Sequence, residues 1–216
     1  MAGWKEDTRN LIPALEYEVE VSKEDFERLS KKVRFDIDAV PFGYGWSFPK
    51  KNHLSLGVLT TKKRKINLKE YYKKYLETLE IKEVINEEAH GFQIPIAPRT
   101  DGFVKQNVFL IGDAAGLAET LLGEGIYNAV ISGKYIANSI VGTSIPEDVY
   151  NKYSAFLIGM KKELALYNRA SKILYKKQRM SYWMLKLFFG KKFMNGYSEG
   201  KTLTEIIKGK YPFPST

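Results

Sequence analysis

The chain predicts an α+β fold in which an antiparallel sheet is followed by one strand-turn-helix unit and a helical tail. Three features carry this. Segments of alternating polarity, such as Leu15-Glu16-Tyr17-Glu18-Val19-Glu20-Val21, recur before residue 106, and a period of two marks strands with one buried face. An apolar run, Val108-Phe109-Leu110-Ile111, then stops at Gly112-Asp113 and leads to a helix after Gly125. From Ile145 to Thr216 the chain reads as helices broken at Pro146, Gly190, Gly196 and Gly200, with a short last helix near Leu203 to Lys208.

In order, strands are expected near residues 15 to 22, 33 to 39, 44 to 49, 53 to 60 and 87 to 96, with helices near 23 to 31 and 67 to 80. Asn67, with Glu70 three residues on, reads as a capping-box start for the second helix. Lys50-Lys51-Asn52-His53 lies between two strand patterns and reads as a tight hairpin. Several strands before one helix suggest an antiparallel sheet laid over another half. The run ending at Gly112-Asp113 is expected to be a buried strand of a parallel sheet, delivering its carboxylate to the carboxyl edge where ligands bind in α/β proteins. On the following helix Ala129, Gly133 and Ala137 fall four apart, leaving one small face for close packing on a sheet or a cofactor. The expected division is 1–106, 107–142 and 143–216.

Composition sets the outer limits. With 216 residues and 44% hydrophobic content the chain can bury a good core. No apolar stretch approaches the roughly 20 residues that span a bilayer, and the amino terminus has no signal-peptide apolar region, so the expected place is the cytoplasm or the periphery of a membrane. Zero cysteines exclude disulfides and thiolate metal sites. His53 and His90 are the only histidines and stand far apart, which argues against a metal site or a Ser-His-Asp triad. The net charge of +9 gathers in Lys62-Lys63-Arg64-Lys65, Lys161-Lys162, Lys176-Lys177 and Lys191-Lys192. These clusters are rich in lysine and lie in no nucleic-acid motif, so the readings are solvated faces or, in the C-terminal tail, contact with anionic lipid.

Asn107 to Ile126 carries the most chemistry. The Asp113 carboxylate can accept hydrogen bonds from the hydroxyls of a ribityl or ribose chain, and Gly123 and Gly125 let backbone amides approach a flat ring or an anion. Gly112-Asp113-Ala114-Ala115-Gly116 followed by Gly123-Glu124-Gly125-Ile126 resembles the second flavin-contact motif of FAD-dependent oxidoreductases. In its Gly-Glu-Gly-Ile form it is most similar to the geranylgeranyl reductase family. Tyr44-Gly45-Trp46-Ser47-Phe48-Pro49 resembles that family's aromatic substrate-domain motif, and the two blocks stand in the family's order. The resemblance runs from about Leu15 to Gly142 and more loosely into the tail.

The resemblance implies an antiparallel substrate-domain sheet joined to the C-terminal strand-turn-helix part of an FAD-binding fold. It places Asp113 on the ribityl or pyrophosphate region of FAD, with Gly112 keeping the turn tight, Gly123 making room, and Gly125 and Ile126 presenting backbone to the flavin. It implies reduction of carbon-carbon double bonds in a geranylgeranyl or other isoprenoid lipid substrate, with NAD(P)H or ferredoxin as candidate external reductants. Tyr44, Trp46 and Phe48 share one strand face and would make an apolar wall for a prenyl chain. The same stripe also fits a core between sheet and helix. Glu119-Thr120 departs from the family, many of whose members have proline at the second position.

The Gly-x-Gly-x-x-Gly turn that opens such flavoenzymes is absent. A truncated or split enzyme, with a separate chain supplying the dinucleotide-binding half, accounts for that, as does a non-catalytic lipid-binding or interaction module. A flavin monooxygenase is a further reading, against which the Gly-Glu-Gly-Ile form argues. Catalytic side chains are not identifiable. Arg99, after Pro98, reads as a surface-loop arginine or a phosphate contact, and Glu124 as a group beside the ring or a helix-start acid.

Overall fold

The computed structural model describes residues 4, 6–62, 66–210 and 212–213, so Lys63, Arg64 and Lys65 of the first basic cluster lie outside the described residues. The chain divides into two compact units. One holds Ile12–Ile94 and Leu174–Tyr182, and the other holds the rest.

The first unit is built on β1 (Asn10–Val21), α1 (Lys23–Leu29), β2 (Arg34–Asp36), β3 (Gly43–Pro49), β4 (Leu54–Thr60), α2 (Leu68–Thr78) and β5 (Val84–Ala97). Their sheet has the order β2-β3-β4-β1-β5, and the β1–β4, β2–β3 and β3–β4 pairs are antiparallel. The expected hairpin closes where Lys50 N–H donates to His53 O at 2.9 Å. Alternation then sorts the side chains. Tyr17, Val19, Leu54, Leu56 and Val58 fall on one face and pack with Tyr72, Tyr75 and Leu79 of the α2 region into a core. Tyr17 stacks on Tyr72 with centroids 3.8 Å apart, and Tyr75 Oη donates to Asp36 Oδ2 at 2.6 Å, which satisfies the polar end of a buried ring. Gly45 lies under this layer because a Cβ there would meet the Tyr75 ring at 2.9 Å.

Local caps follow the sequence in part. Ser22 caps α1 by accepting from Asp25 N–H, and the buried Asp25 carboxylate accepts from Arg28 Nη2 at 2.7 Å and from Lys82 N–H at 2.9 Å. The capping box expected at Asn67 does not form, since its side chain makes no cap hydrogen bond. Glu70 instead accepts from Lys74 Nζ at 2.7 Å, a charged partner one turn along the same face. Gln178 supplies a tie with no sequence signal. Its Nε2 donates to Val40 O at 3.1 Å and Gly43 O at 2.9 Å, and to Ile37 O, fastening Leu174–Tyr182 to the loop before β3.

The second unit departs from the expected parallel strand. β6 (Val104–Lys105) and β7 (Val108–Phe109) form a two-residue antiparallel ribbon, with Gln106 at φ 53° in its turn. Val108 and Ile111 are exposed, while Phe109 and Leu110 pack on the core. A parallel partner is reached only through a long crossover, whereas Val104-Lys105 lies one tight turn away. α3 (Gly112–Ala115), α4 (Ile126–Val141) and the 31-residue α5 (Pro146–Lys176) follow. α5 buries Tyr153, Phe156, Leu157, Met160, Leu164 and Tyr167 at helical spacing. The Phe156 ring stacks on Tyr135 of α4 at 4.1 Å.

Of the expected breaks, Pro146 opens α5, where its missing N–H is no loss, and Gly200 at φ 73° ends a helix. Gly190 and Gly196 break nothing. α6 (Gln178–Met184), a π-helical segment (Leu185–Phe189) and α7 (Gly190–Ser198) run on from one another. Gly196 lies in close packing, as a Cβ there would meet Ile206 Cγ1 at 2.5 Å. α8 (Leu203–Lys208) forms as expected, with a capping box between Thr202 and Glu205. Among the described residues no helix is long and apolar enough to cross a membrane.

Candidate functional site

The Gly112–Ile126 segment folds as a turn, a short helix, a loop and a helix start. Gly112 takes φ 48° and its N–H donates to Ser132 Oγ at 3.1 Å, while a Cβ on it would meet the Ala129 methyl at 2.8 Å. Ala129 therefore serves the close packing that the spacing suggested, whereas a Cβ on Gly133 would make only an ordinary contact with Ile111 at 3.6 Å and Ala137 is exposed. Gly116 ends α3 at φ 74°, and a Cβ there would lie 2.3 Å from Ala97 O. Both the conformation and the space demand glycine.

Asp113 stands exposed on α3, and its backbone carbonyl accepts from Arg9 Nη1 at 2.7 Å. Its carboxylate makes no hydrogen bond or ion pair among the described residues. One carboxylate oxygen lies 3.2 Å from the point where a Cβ of Gly125 would stand, so the structure brings Asp113 and Gly125 together. Gly125 is the N-cap of α4 and Ile126, its first residue, is exposed. Gly123 takes φ 71° in the intervening loop.

Glu119 organises that loop, a role that sequence reasoning missed. The side chain is 2% exposed, and its two oxygens accept from the N–H groups of Leu121 at 2.5 Å, Leu122 at 2.7 Å and Glu124 at 3.2 Å. Glu119 N–H closes the loop on Glu124 O at 2.8 Å. Burial pushes the carboxyl up to about 7 against the pull of the three donors. The visible signal was a glutamate followed at once by Thr-Leu-Leu-Gly, where an acid inside an apolar loop needs local backbone partners.

The aromatic block lies on the sheet face opposite the α2 core. Tyr44 is buried, Trp46 is 8% exposed and Phe48 is half-buried. Their successive centroids are 6.0 and 6.3 Å apart, and Phe35 joins them at 5.5 Å from Tyr44 and 5.2 Å from Phe48. The Trp46 indole covers Gly57 so closely that a Cβ there would be 2.1 Å from its ring. Trp46 Nε1 donates to Ser55 Oγ at 3.4 Å, and Ser55 Oγ donates to Glu16. This polar chain at the edge of an apolar layer was not foreseen.

The remaining candidates resolve into structural roles. Arg99 is 7% exposed, which corrects the surface-loop reading. Its Nε and Nη2 grip Asp101 at 2.8 Å each, and Nη2 also donates to Glu6 O at 2.5 Å. The guanidinium holds the Asp101 carboxyl well below its usual range. Its charge is thus already matched. Glu124 Oε1 accepts from Tyr127 N–H at 2.8 Å, capping the first turn of α4. His53 Nε2 lies 2.8 Å from Glu18 and His90 Nε2 lies 3.6 Å from Glu88.

In chain order, then, a sheet with an aromatic face precedes a Gly-Asp turn that leads to a glycine-capped helix. Residues 12–91 match the geranylgeranyl reductase catalytic domain family, nearly the span of the sheet unit. An uncharacterised protein of Methanosarcina barkeri is 31% identical over 82% of this chain and 42% of its own length. The geranylgeranyl diphosphate reductase of Synechocystis is 40% identical over 50% of this chain and 26% of its own. Among solved structures, a geranylgeranyl bacteriochlorophyll reductase-like protein of Thermoplasma acidophilum shares the fold with TM-score 0.52 and 22% identity, covering 81% of this chain and 50% of that one. These similarities link the chain at family level to the geranylgeranyl reductases. It spans less than half the length of the curated relatives named here.

Proposed function

We propose that the chain is the substrate-binding and C-terminal flavin-contact part of an FAD-dependent reductase of isoprenoid carbon-carbon double bonds. The observation that carries this reading is the exposed Asp113 carboxylate meeting Gly125 at the start of α4. The residues fit the cofactor on two counts. The carboxylate accepts no hydrogen bond among the described residues, with only the Arg9 charge nearby, and the space beside it is one that a Cβ would fill. Asp113 would hold the hydroxylated chain of FAD, while Gly123, Gly125 and Ile126 would present backbone to the ring and Gly112 would fix the turn. The amino end of α4 favours negative charge beside it. When bound, reduced FAD supplies the hydride.

Tyr44, Trp46 and Phe48 would bind and orient the prenyl chain and exclude water from it. A separate chain supplying the dinucleotide-binding half, and peripheral contact of the basic C-terminal region with a membrane, complete the reading. The test is reconstitution of the purified chain with FAD, alone and with a candidate partner chain, followed by visible absorption and by reduction of a geranylgeranyl substrate. Flavin bound in either assembly and lost in Asp113→Ala supports the assignment. Flavin affinity indifferent to Asp113 overturns the site assignment, and no flavin binding in either assembly leaves a non-catalytic lipid-binding module.

A further inference from the structure

Residues 183–198 combine exposed apolar side chains with a single sign of charge. Trp183 is 57% and Leu187 64% exposed, and Met184 and Met194 are exposed as well. Lys186, Lys191 and Lys192 are exposed among them. Gly196 fixes the inner side of α7, because it packs directly on Ile206 of α8. Leu187, Lys191 and Met194 follow at spacings of four and three and run along the opposite side. Lys186 Nζ sits 5.3 Å from the Trp183 ring centroid, placing a cation beside an amphipathic ring. Between Lys177 and Ser198 the chain has no aspartate or glutamate, while it carries Lys177, Arg179, Lys186, Lys191 and Lys192.

We infer that this face docks on a bilayer surface containing anionic lipid, with Trp183, Met184, Leu187 and Met194 entering the interface and Lys186 and Lys191 at the headgroups. Two physical arguments favour lipid over another occupant. An apolar stripe flanked by lysines and free of acids is the pattern of a helix that lies in the interface plane. A protein interface typically depletes lysine at its core, whereas an anionic headgroup layer attracts each lysine without a fitted partner. The inference deepens the membrane part of the proposed function and does not depend on the flavin site.

The test is sedimentation of the full chain with phosphatidylcholine vesicles and with vesicles containing about a third phosphatidylglycerol. Binding is expected to the anionic vesicles only, and to fall as salt rises. Lys186→Ala with Lys191→Ala should weaken it roughly thirtyfold, at about fivefold per lysine. Leu187→Glu should abolish it with an unchanged circular dichroism melt. Absence of binding, equal binding to neutral vesicles, or a dimer in sedimentation equilibrium that Leu187→Glu dissolves each overturns the inference. FAD titration of the same variants separates the two readings, since a failed flavin site leaves vesicle binding in place.

Discussion

Glu119 offers the sharpest perturbation, because one buried carboxylate serves three backbone donors. Glu119→Ala leaves the N–H groups of Leu121, Leu122 and Glu124 without their acceptor. An unsatisfied buried donor costs about 1 to 3 kcal/mol. Leu122 and Glu124 are half-buried, so water can replace part of the loss, and removing the buried acid returns some desolvation energy. The net expectation is a loss of about 2 to 4 kcal/mol in the stability of the second unit. The pH dependence has an unusual sign. A carboxyl raised from 4.5 to about 7 on folding binds its proton more tightly in the folded state. Its contribution is therefore fully present below 4.5 and is lost as pH rises through 7, which amounts to about 3 kcal/mol. Glu119→Gln removes that slope while keeping one acceptor oxygen. Urea unfolding at pH 5 and pH 8, with hydrogen exchange on peptides covering Leu117 to Asn128, reads both effects. The gap between wild type and Gln should narrow by about 2 to 3 kcal/mol from the lower pH to the higher. Parallel pH curves would refute the burial argument, and an unchanged urea midpoint for Glu119→Ala would refute the network.

Asp113→Ala should weaken FAD binding by about 1.5 to 3 kcal/mol, the worth of a charge-assisted hydrogen bond, with the melting temperature held, as the side chain is exposed; titration in the binding-competent assembly checks this. Gly125→Ala is expected to fold, because its Cβ would meet Asp113 Oδ1 at 3.2 Å and Ala118 at 3.4 Å, yet to lose flavin affinity by filling the approach. Gly57→Ala should destabilise the sheet unit by about 1 to 3 kcal/mol, since the new methyl collides with the Trp46 indole; a melt within experimental error of wild type contradicts the packing. Trp46→Ala should weaken prenyl binding more than flavin binding, whereas an equal loss of both with a fallen melting temperature supports a purely structural ring. Asp25→Ala should cost about 2 to 3 kcal/mol, below the buried-pair range because Arg28 remains partly solvated. The stabilising effect of Asp25 is present at neutral pH and is lost on acidification, because hydrogen bonds from Arg28, Lys82 and Ser22 outweigh desolvation and lower its folded-state acidity range.

The five strands and the first two helices were legible because side-chain period is a local property, and alternation from Leu15 to Val21 leaves one register in which the apolar face is buried. The Gly-Asp turn was legible for a related reason. Gly112, Gly116 and Gly123 take the left-handed backbone that glycine adopts without a Cβ penalty, so their recurrence marks the turns. The direction of pairing at Val108–Phe109 was not, because an apolar run records burial without recording its neighbour. Gly190 and Gly196 looked like breaks, and only the approach of Ile206 explains the second as packing. Arg99 looked like a surface residue until Asp101 and Glu6 were seen around it.

The sequence by itself therefore determined the strands and helices of the first unit, the glycine turn and the aromatic stripe, all of which depend on neighbours along the chain. Tertiary structure alone decided that Asp113 faces Gly125 and that Gln178 clasps the loop before β3. Those contacts depend on distances across the fold, and a one-dimensional pattern holds no term for them.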